Sequence, residues 1–173
     1  AHLNIKYYTF NKLNIRKWIY TKLKINLLPD IHIVDRYFRA VRKLHVVNDE
    51  EGLDFFFPKD FNPEIRKSLP EKYIAFAIGG TYATKRYPTA QIIEFVKSAP
   101  VPVVLLGGKS EQEDASYIKA SNAEKVINLC NELSLTESAA VIDKARLVIS
   151  NDTGMMHIAA ALHKPVISIW GNT

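Results

Sequence analysis

Cysteine is almost absent from this chain of 173 residues, in which Cys130 is the single one. One thiol excludes an intramolecular disulfide framework, and no Cys/His cluster has the spacing of a structural zinc site. No apolar run approaches the roughly 18 residues that a membrane-spanning helix needs, and the opening AHLNIKYYTFNK lacks the apolar block of a secretory signal. We therefore expect a soluble protein of a reducing cytoplasm.

Two common phosphate-binding patterns are also missing. The chain has neither a Walker pattern nor GxGxxG, so neither a P-loop nor a standard dinucleotide site is supported. It opens without Met and stops at WGNT, directly after an apolar run, where a strand normally leads into another element. We expect a fragment of a longer protein.

Positive charge is concentrated in residues 1–47, which hold ten Lys/Arg against two Asp/Glu, whereas the remainder holds thirteen against sixteen. Two stretches of helical spacing, Leu13 to Leu23 and Val34 to Leu44, are interrupted by Pro29 and Asp30, and Asp30 is a candidate cap for the second helix. This basic helical segment could follow an anionic surface, either nucleic acid or the cytoplasmic face of a membrane, or it could simply present a solvated face.

Residues 48–71 contain three prolines and an acidic run, which predicts a linker with an aromatic cluster from Phe55 to Phe57. From residue 72 onward, apolar runs without internal alternation are separated by helical stretches, two of them after the capping-box pairs Ser110/Glu113 and Ser134/Glu137. This pattern predicts an α/β domain over 72–173 with a parallel sheet covered on both faces. The predicted strands are Tyr73 to Ile78, Val101 to Leu106, Val126 to Leu129, Leu147 to Ser150 and Val166 to Trp170. The predicted helices are Thr89 to Ser98, one after Ser110, one ending near Lys144, and Gly154 to His163.

Unusual residues follow the carboxyl ends of these strands, where ligands bind to such sheets. The Asp152-Thr153-Gly154 turn precedes a helix whose free N–H groups and dipole could hold a phosphate, although Asp152 could be only a helix cap. His157, one turn further along that helix, fits either a packed residue or the same site.

Two other loops offer charge and hydroxyl groups. The loop of residues 79–88 combines two glycines with Thr81, Lys85 and Arg86, a composition that suits a phosphate but is weak evidence alone. Glu111 follows the second strand and could accept hydrogen bonds from a ribose diol, or could merely favour a helix N-terminus.

Together these loops resemble the heptosyltransferase family of glycosyltransferases, which acts in lipopolysaccharide synthesis and has two facing doubly wound domains. SNDTGMMHIAAALHKPVISIWGNT matches its most specific motif almost throughout, whereas GGTYATKRYP and LLGGKSEQEDA resemble two further signatures. The resemblance covers residues 72–173, and IHIVDRYFRAV resembles the interdomain segment more loosely. It implies the C-terminal, donor-binding half of a GT-B enzyme.

The resemblance also implies roles for individual residues. Asp152 would contact the sugar, Thr153 and Gly154 would offer backbone N–H groups to the diphosphate, and Lys85 would neutralise the phosphate of the leaving group. Lys85 and Asp152 are therefore the catalytic candidates. The catalytic base is expected on an N-terminal domain outside this chain, so the chain should bind without turnover.

The remaining implied contacts are those of Thr81 through its hydroxyl, His157 on the phosphate side and Glu111 on the ribose. No metal or other cofactor is expected. The substrates would be a nucleoside diphosphate sugar, with ADP as the expected nucleotide, and a lipid-linked glycan of the envelope. The expected location is cytoplasmic with peripheral contact at the inner membrane, and no nucleic-acid partner is expected.

Some alternatives stay open because Asn172 stands where the family usually has Pro and Gly79-Gly80 replace bulkier polar residues. The sugar need not be heptose. The chain could belong to another nucleotide-sugar enzyme of the same architecture, such as an epimerase, or be a non-catalytic nucleotide-binding domain. Nucleic-acid binding is less favoured because the basic residues alternate with core-like aromatics.

Overall fold

A computed structural model describes residues 7–171, apart from the side chain of Arg66. Residues 1–6 of the basic segment, together with Asn172 and Thr173 of the closing motif, lie outside the described residues. The chain divides into two compact units, with the division between Gly52 and Leu53.

The first unit contains both helices predicted for the basic segment. They are α1 (Asn14–Leu23) and α2 (Ile33–Val41), and α2 continues into a 3₁₀ turn over Arg42–Leu44. No residue of either α-helix is buried within this chain. The edge of the Phe10 ring meets Tyr37 at 4.6 Å between centroids, and the guanidinium of Arg36 lies 5.8 Å from the Phe10 centroid. Across the described residues, no helix is both long and apolar enough to cross a bilayer.

The predicted cap of α2 was wrong. His32 occupies the cap position, and its Nδ1 accepts a hydrogen bond from the Val34 N–H at 3.4 Å. Because the helix begins at Ile33, Asp30 lies too far from the first free N–H groups to cap them.

The second unit contains a five-stranded parallel sheet with the order β3-β2-β1-β4-β5. Every residue of β1 and β2 is buried, which explains why these strands read as continuous apolar runs. The strands are β1 (Ile74–Ala77), β2 (Val103–Leu106), β3 (Val126–Asn128), β4 (Leu147–Asn151) and β5 (Val166–Ile169). The helices are α3 (Ile65–Ser68), α4 (Thr89–Ser98), α5 (Gln112–Ser121), α6 (Leu135–Lys144) and α7 (Gly154–Ala161).

Helices cover both faces of the sheet. Ala75 and Ala77 of β1 belong to a core shared with α6 and α7, whereas Ile74 and Phe76 belong to a second core shared with α4 and α5. This alternation is that of a doubly wound sheet. The predicted α/β class and parallel sheet are therefore confirmed by the topology.

Some local details differ from the sequence prediction. The Ser134/Glu137 capping box is present, and its hydrogen bonds lower the pKa of the Glu137 carboxyl. The predicted Ser110/Glu113 capping box was wrong, because α5 begins only at Gln112. Glu111 instead accepts the hydrogen bonds of the Gly108 N–H and the Ser110 hydroxyl. The helix expected to reach residue 163 ends at Ala161.

The segment expected to be a linker contributes to the second unit. Phe55 and Phe57 pack against the core that contains α6 and α7, as do Ile65 of α3 and Leu69. The Phe55 and Phe57 rings contact each other at 5.2 Å, and Phe57 stacks on Phe61 at 5.4 Å. Residues 53–71 therefore cover the sheet as well as connecting to it.

Candidate functional site

The candidate site lies where the strand order reverses. β1 has β2 on one side and β4 on the other, so the loops that follow these three strands converge at one edge of the sheet. Such a switch point is where open parallel sheets bind ligands. A cleft of about 680 Å³ opens there, within the size range of small-molecule sites. Its polar side chains are Thr81, Arg86, Ser110, Glu111, Ser138 and Thr153.

One wall of the cleft is apolar. Leu133 and Leu135 line it from the segment before α6 and the start of that helix, and Met155 lines it from the first turn of α7. Gly79, Gly107 and their neighbours add backbone to the lining. The cleft thus combines polar side chains with an apolar surface.

Asn151 anchors the loop that follows β1. This residue is completely buried at the end of β4, and its Nδ2 donates to the carbonyl oxygens of Ile78 and Gly79 at 2.9 and 3.0 Å. Its Oδ1 accepts from the Tyr87 N–H at 3.3 Å. Sequence reasoning missed this role, although a polar residue ending an apolar strand was a usable signal.

Lys85 and Asp152 form an ion pair through Lys85 Nζ and Asp152 Oδ2. The exposed fractions of the two side chains are 25% and 24%, so both remain accessible to a solute. Lys85 ends a 3₁₀ turn over Ala83–Lys85, and Asp152 precedes α7. The structure therefore brings together the two residues that the sequence singled out in different loops.

The N-terminus of α7 has no side-chain cap. Thr153 occupies the cap position without a capping hydrogen bond, and its hydroxyl lies 3.3 Å from that of Ser150. Asp152 is therefore not the helix cap, which was the alternative role considered for it. The helix dipole at this end favours an anion.

A second ion pair joins the loop after β1 to the loop after β2. Arg86 Nη2 lies 2.9 Å from Glu111 Oε1, and Arg86 Nε donates to the Gly80 carbonyl at 2.8 Å. Glu111 is buried, with 5% of its surface exposed. Its Oε2 accepts from the Gly108 N–H at 2.9 Å, and its Oε1 accepts from the Ser110 hydroxyl at 2.6 Å.

Cys130 lies near this second pair. An ideal Cβ added to Gly107 would lie 3.1 Å from its sulfur. The pKa of the Cys130 thiol is raised to about 12, mainly by burial and further by the negative charges of Glu111 and Glu132. The side chain is therefore a neutral core group near neutral pH rather than a thiolate nucleophile.

The other predicted residues differ in their placement. Thr81, Glu111, Thr153 and Gly154 line the cleft, whereas Lys85, Asp152 and His157 are outside its lining. His157 is an exposed residue of α7. Among residues 7–171, no group of three or more His, Cys, Asp and Glu residues is arranged to hold a metal ion.

The end of the β5 segment lies against the Lys85 loop. A Cβ at Gly171 would collide with the Thr84 carbonyl oxygen, so only glycine fits this position. This contact explains why glycine stands at this position of the motif recognised in the sequence.

An open parallel sheet with paired charges at its switch point defines a Rossmann-like domain of the kind that binds nucleotides. The family model described as glycosyltransferase family 9 (heptosyltransferase) matches residues 16–173, and the chain belongs to this family.

Individual relatives agree with this family. Lipooligosaccharide heptosyltransferase 2 of Haemophilus ducreyi is 34% identical over 110 residues, which cover 58% of this chain and 32% of that protein. The family 9 glycosyl transferase of Veillonella parvula has a TM-score of 0.73 at 21% identity, covering 84% of this chain and 45% of that one. E. coli heptosyltransferase WaaC, solved with ADP-2-deoxy-2-fluoro heptose, has a TM-score of 0.62 at 25% identity, and the match covers 86% of this chain and 48% of that one.

The chain spans about a third of the length of the curated relatives it matches. The predicted fold class, a Rossmann-like half of a GT-B glycosyltransferase, is confirmed, as is the predicted family. The roles of individual site residues stay predictions.

Proposed function

We propose that this chain forms the donor-binding half of a heptosyltransferase that takes a heptose-like sugar from an ADP-linked donor. The observation that carries the proposal is the accessible Lys85–Asp152 pair beside the uncapped N-terminus of α7. Family membership and the ADP-sugar analogue bound to the WaaC relative support the same donor class.

The diphosphate would bind between Lys85 and the first turn of α7. Each carboxylate of the site already has a cationic partner, so an incoming diphosphate would compete with Asp152 for Lys85. Asp152 would then be free to accept hydrogen bonds from sugar hydroxyls. Backbone N–H groups of Thr153 and Gly154 and the Thr81 hydroxyl would supply further donors.

The nucleoside would occupy the cleft. Its ribose diol would meet Glu111, and its base would lie on the apolar surface formed by Leu133, Leu135 and Met155. An apolar surface with a few convergent polar groups is typical of small-molecule sites. His157 is proposed to act only from the phosphate side of α7, since it does not line the cleft.

In the reaction, an acceptor hydroxyl oxygen would form a bond to the anomeric carbon while the bond from that carbon to the diphosphate oxygen breaks. The diphosphate leaves with the electron pair, and Lys85 and the α7 dipole stabilise its charge without a metal. The hydroxyl proton goes to a base, which we propose belongs to the N-terminal half of the longer relatives.

The acceptor would be a lipopolysaccharide core or another lipid-linked envelope glycan. We propose a cytoplasmic location with peripheral contact at the inner membrane. The excess of Lys and Arg in residues 1–47 supports this proposal, because an anionic membrane surface attracts such a segment.

Calorimetric titration of the chain with ADP, UDP and GDP tests the proposal. We expect selective binding of ADP, weakened about tenfold to a hundredfold by Lys85→Ala, because a charge-assisted contact to phosphate is lost. Asp152→Ala should weaken an ADP-sugar more than ADP. Lys97→Ala is the matched control, since Lys97 pairs with Glu94 on the surface of α4. If the folded chain binds no nucleotide, or binds all three equally, the donor assignment is wrong.

A further inference from the structure

Arg86 occupies a special position within the loop that follows β1. The preceding residue, Lys85, pairs towards β4, whereas Arg86 pairs towards β2 with Glu111. The exposed fractions of the two side chains in this second pair are 33% for Arg86 and 7% for Glu111. Arg86 therefore reaches from the cleft surface to a carboxylate that is almost fully enclosed.

The enclosed carboxylate depends on few partners. Among the described residues, it accepts one backbone N–H, from Gly108, and one hydroxyl, from Ser110, and Arg86 is the cation that pairs with it. A buried carboxylate is costly unless a charge and hydrogen bonds compensate it. Removing Arg86 would leave two neutral donors to hold a charged group.

The two-sided contact of Arg86 suits a guanidinium. Its Nε donates to the Gly80 carbonyl while its Nη2 bonds the carboxylate, so one planar group joins the β1 loop to the Glu111 loop. A lysine has a single nitrogen and cannot make both contacts from fixed directions. The arrangement fixes where the carboxylate lies as well as compensating its charge.

Glycine backbones also lie close to Glu111. A Cβ added at Gly107 would lie 2.9 Å from the Glu111 Cβ, and one added at Gly79 would lie 3.6 Å from its Oε2. The Glu111 side chain is thus confined by glycine backbone as well as by Arg86.

We propose that Arg86 is a positioning residue that holds Glu111 ready for the ribose of the nucleotide and so sets the selectivity for a ribose diol. This inference rests on the proposed role of Glu111 in donor binding. Arg86 then acts on the nucleotide through Glu111 rather than by contact with the phosphates.

The first test needs no nucleotide. Hydrogen exchange of the Gly108 amide, which donates to Glu111, should be about tenfold faster in Arg86→Ala and less affected in Arg86→Lys. Arg146→Ala, at an exposed arginine before β4, is the control and should leave the Gly108 exchange rate unchanged. An unchanged rate in folded Arg86→Ala overturns the positioning role.

The second test compares ADP with 2′-deoxy-ADP. Arg86→Ala should weaken ADP about tenfold and 2′-deoxy-ADP much less, and adding it to Glu111→Gln should cause little further loss. Equal weakening of both nucleotides, additive with Glu111→Gln, overturns the inference in favour of direct phosphate contact. If the wild-type chain binds no nucleotide, the proposed function fails and selectivity through Glu111 fails with it, whereas the exchange test still decides whether Arg86 positions the carboxylate.

Discussion

Two neighbouring cations of one loop have different partners and different surroundings. Lys85 and Asp152 are each about one quarter exposed, whereas Arg86 meets a Glu111 side chain that is only 7% exposed. The first pair spans β1 and β4, between which the strand order reverses, and the second spans β1 and β2. The same loop thus carries one accessible charge pair and one pair, called here the enclosed pair, whose carboxylate is almost fully buried.

This difference separates two requirements of a ligand site. An accessible pair can exchange partners when an anion arrives, since water and ligand can replace the broken contact. Breaking an enclosed pair costs much more free energy, because its carboxylate would be left buried without a cation. We therefore propose that Lys85 exchanges its partner when the ligand binds and that Arg86 fixes the position of Glu111.

Removing each cation in turn tests the difference between the two ion pairs most directly. Arg86→Met should lower the free energy of unfolding by about 3 kcal/mol, since a buried carboxylate loses its cation. Lys85→Met should lower it by less than about 1 kcal/mol, because its pair is partly solvated. Urea denaturation of the two variants measures both values. Equal losses would mean that burial does not distinguish the two pairs.

Asn151 offers a second test, because it supports the loop that carries both cations. Asn151→Ala should lower the free energy of unfolding by about 2 kcal/mol, since the carbonyl groups of Ile78 and Gly79 lose their donor. Denaturation beside Asn62→Ala, at an exposed site, provides the measurement and its control. If Asn151→Ala retains wild-type stability, these hydrogen bonds do not hold the loop.

Substituting alanine for two glycines of the site should change the stability of the fold in opposite directions. Gly107→Ala should destabilise the fold by about 1 to 2 kcal/mol, because the new Cβ would lie within 3.1 Å of both Glu111 and Cys130. Gly154→Ala meets nothing within 4 Å at the start of α7, and should stabilise the helix by up to about 1 kcal/mol. Thermal unfolding of both variants checks the opposite signs, and losses of the same size would contradict the packing difference.

Much of the sheet could be predicted because its signals are local. Buried parallel strands read as unbroken apolar runs, and the Ser134/Glu137 capping box marks the start of α6. The Ser110/Glu113 pair has equally good spacing, but a 3₁₀ turn over Lys109–Glu111 displaced the start of α5. Local spacing alone does not reveal such a turn.

The site was only partly predictable for a related reason. Lys85, Glu111 and Asp152 could be found because charged residues follow strand ends. Their pairing could not, since Lys85 and Asp152 are 67 residues apart and meet only through the strand order. Asn151 and Arg86 also bond backbone carbonyl groups in the loop after β1. Because every residue has such a group, the sequence does not show which ones will be bonded.

The smallest expected effect concerns Cys130, beside the enclosed pair. Its thiol pKa is raised from 9.0 to about 12 in the folded chain, so above pH 9 the unfolded chain releases a proton that the folded chain keeps. The contribution of the Cys130 thiol to the free energy of unfolding is therefore fully present well below pH 9 and is lost as the pH rises from 9 towards 12. From about pH 8 to about pH 10 the loss should be about 1 kcal/mol. Denaturation under reducing conditions should show a shallower alkaline decline in Cys130→Ala than in the wild-type chain. Parallel declines would mean that the enclosed side does not hold the thiol protonated, and the contrast with the accessible Lys85 side would then rest on the ion pairs alone.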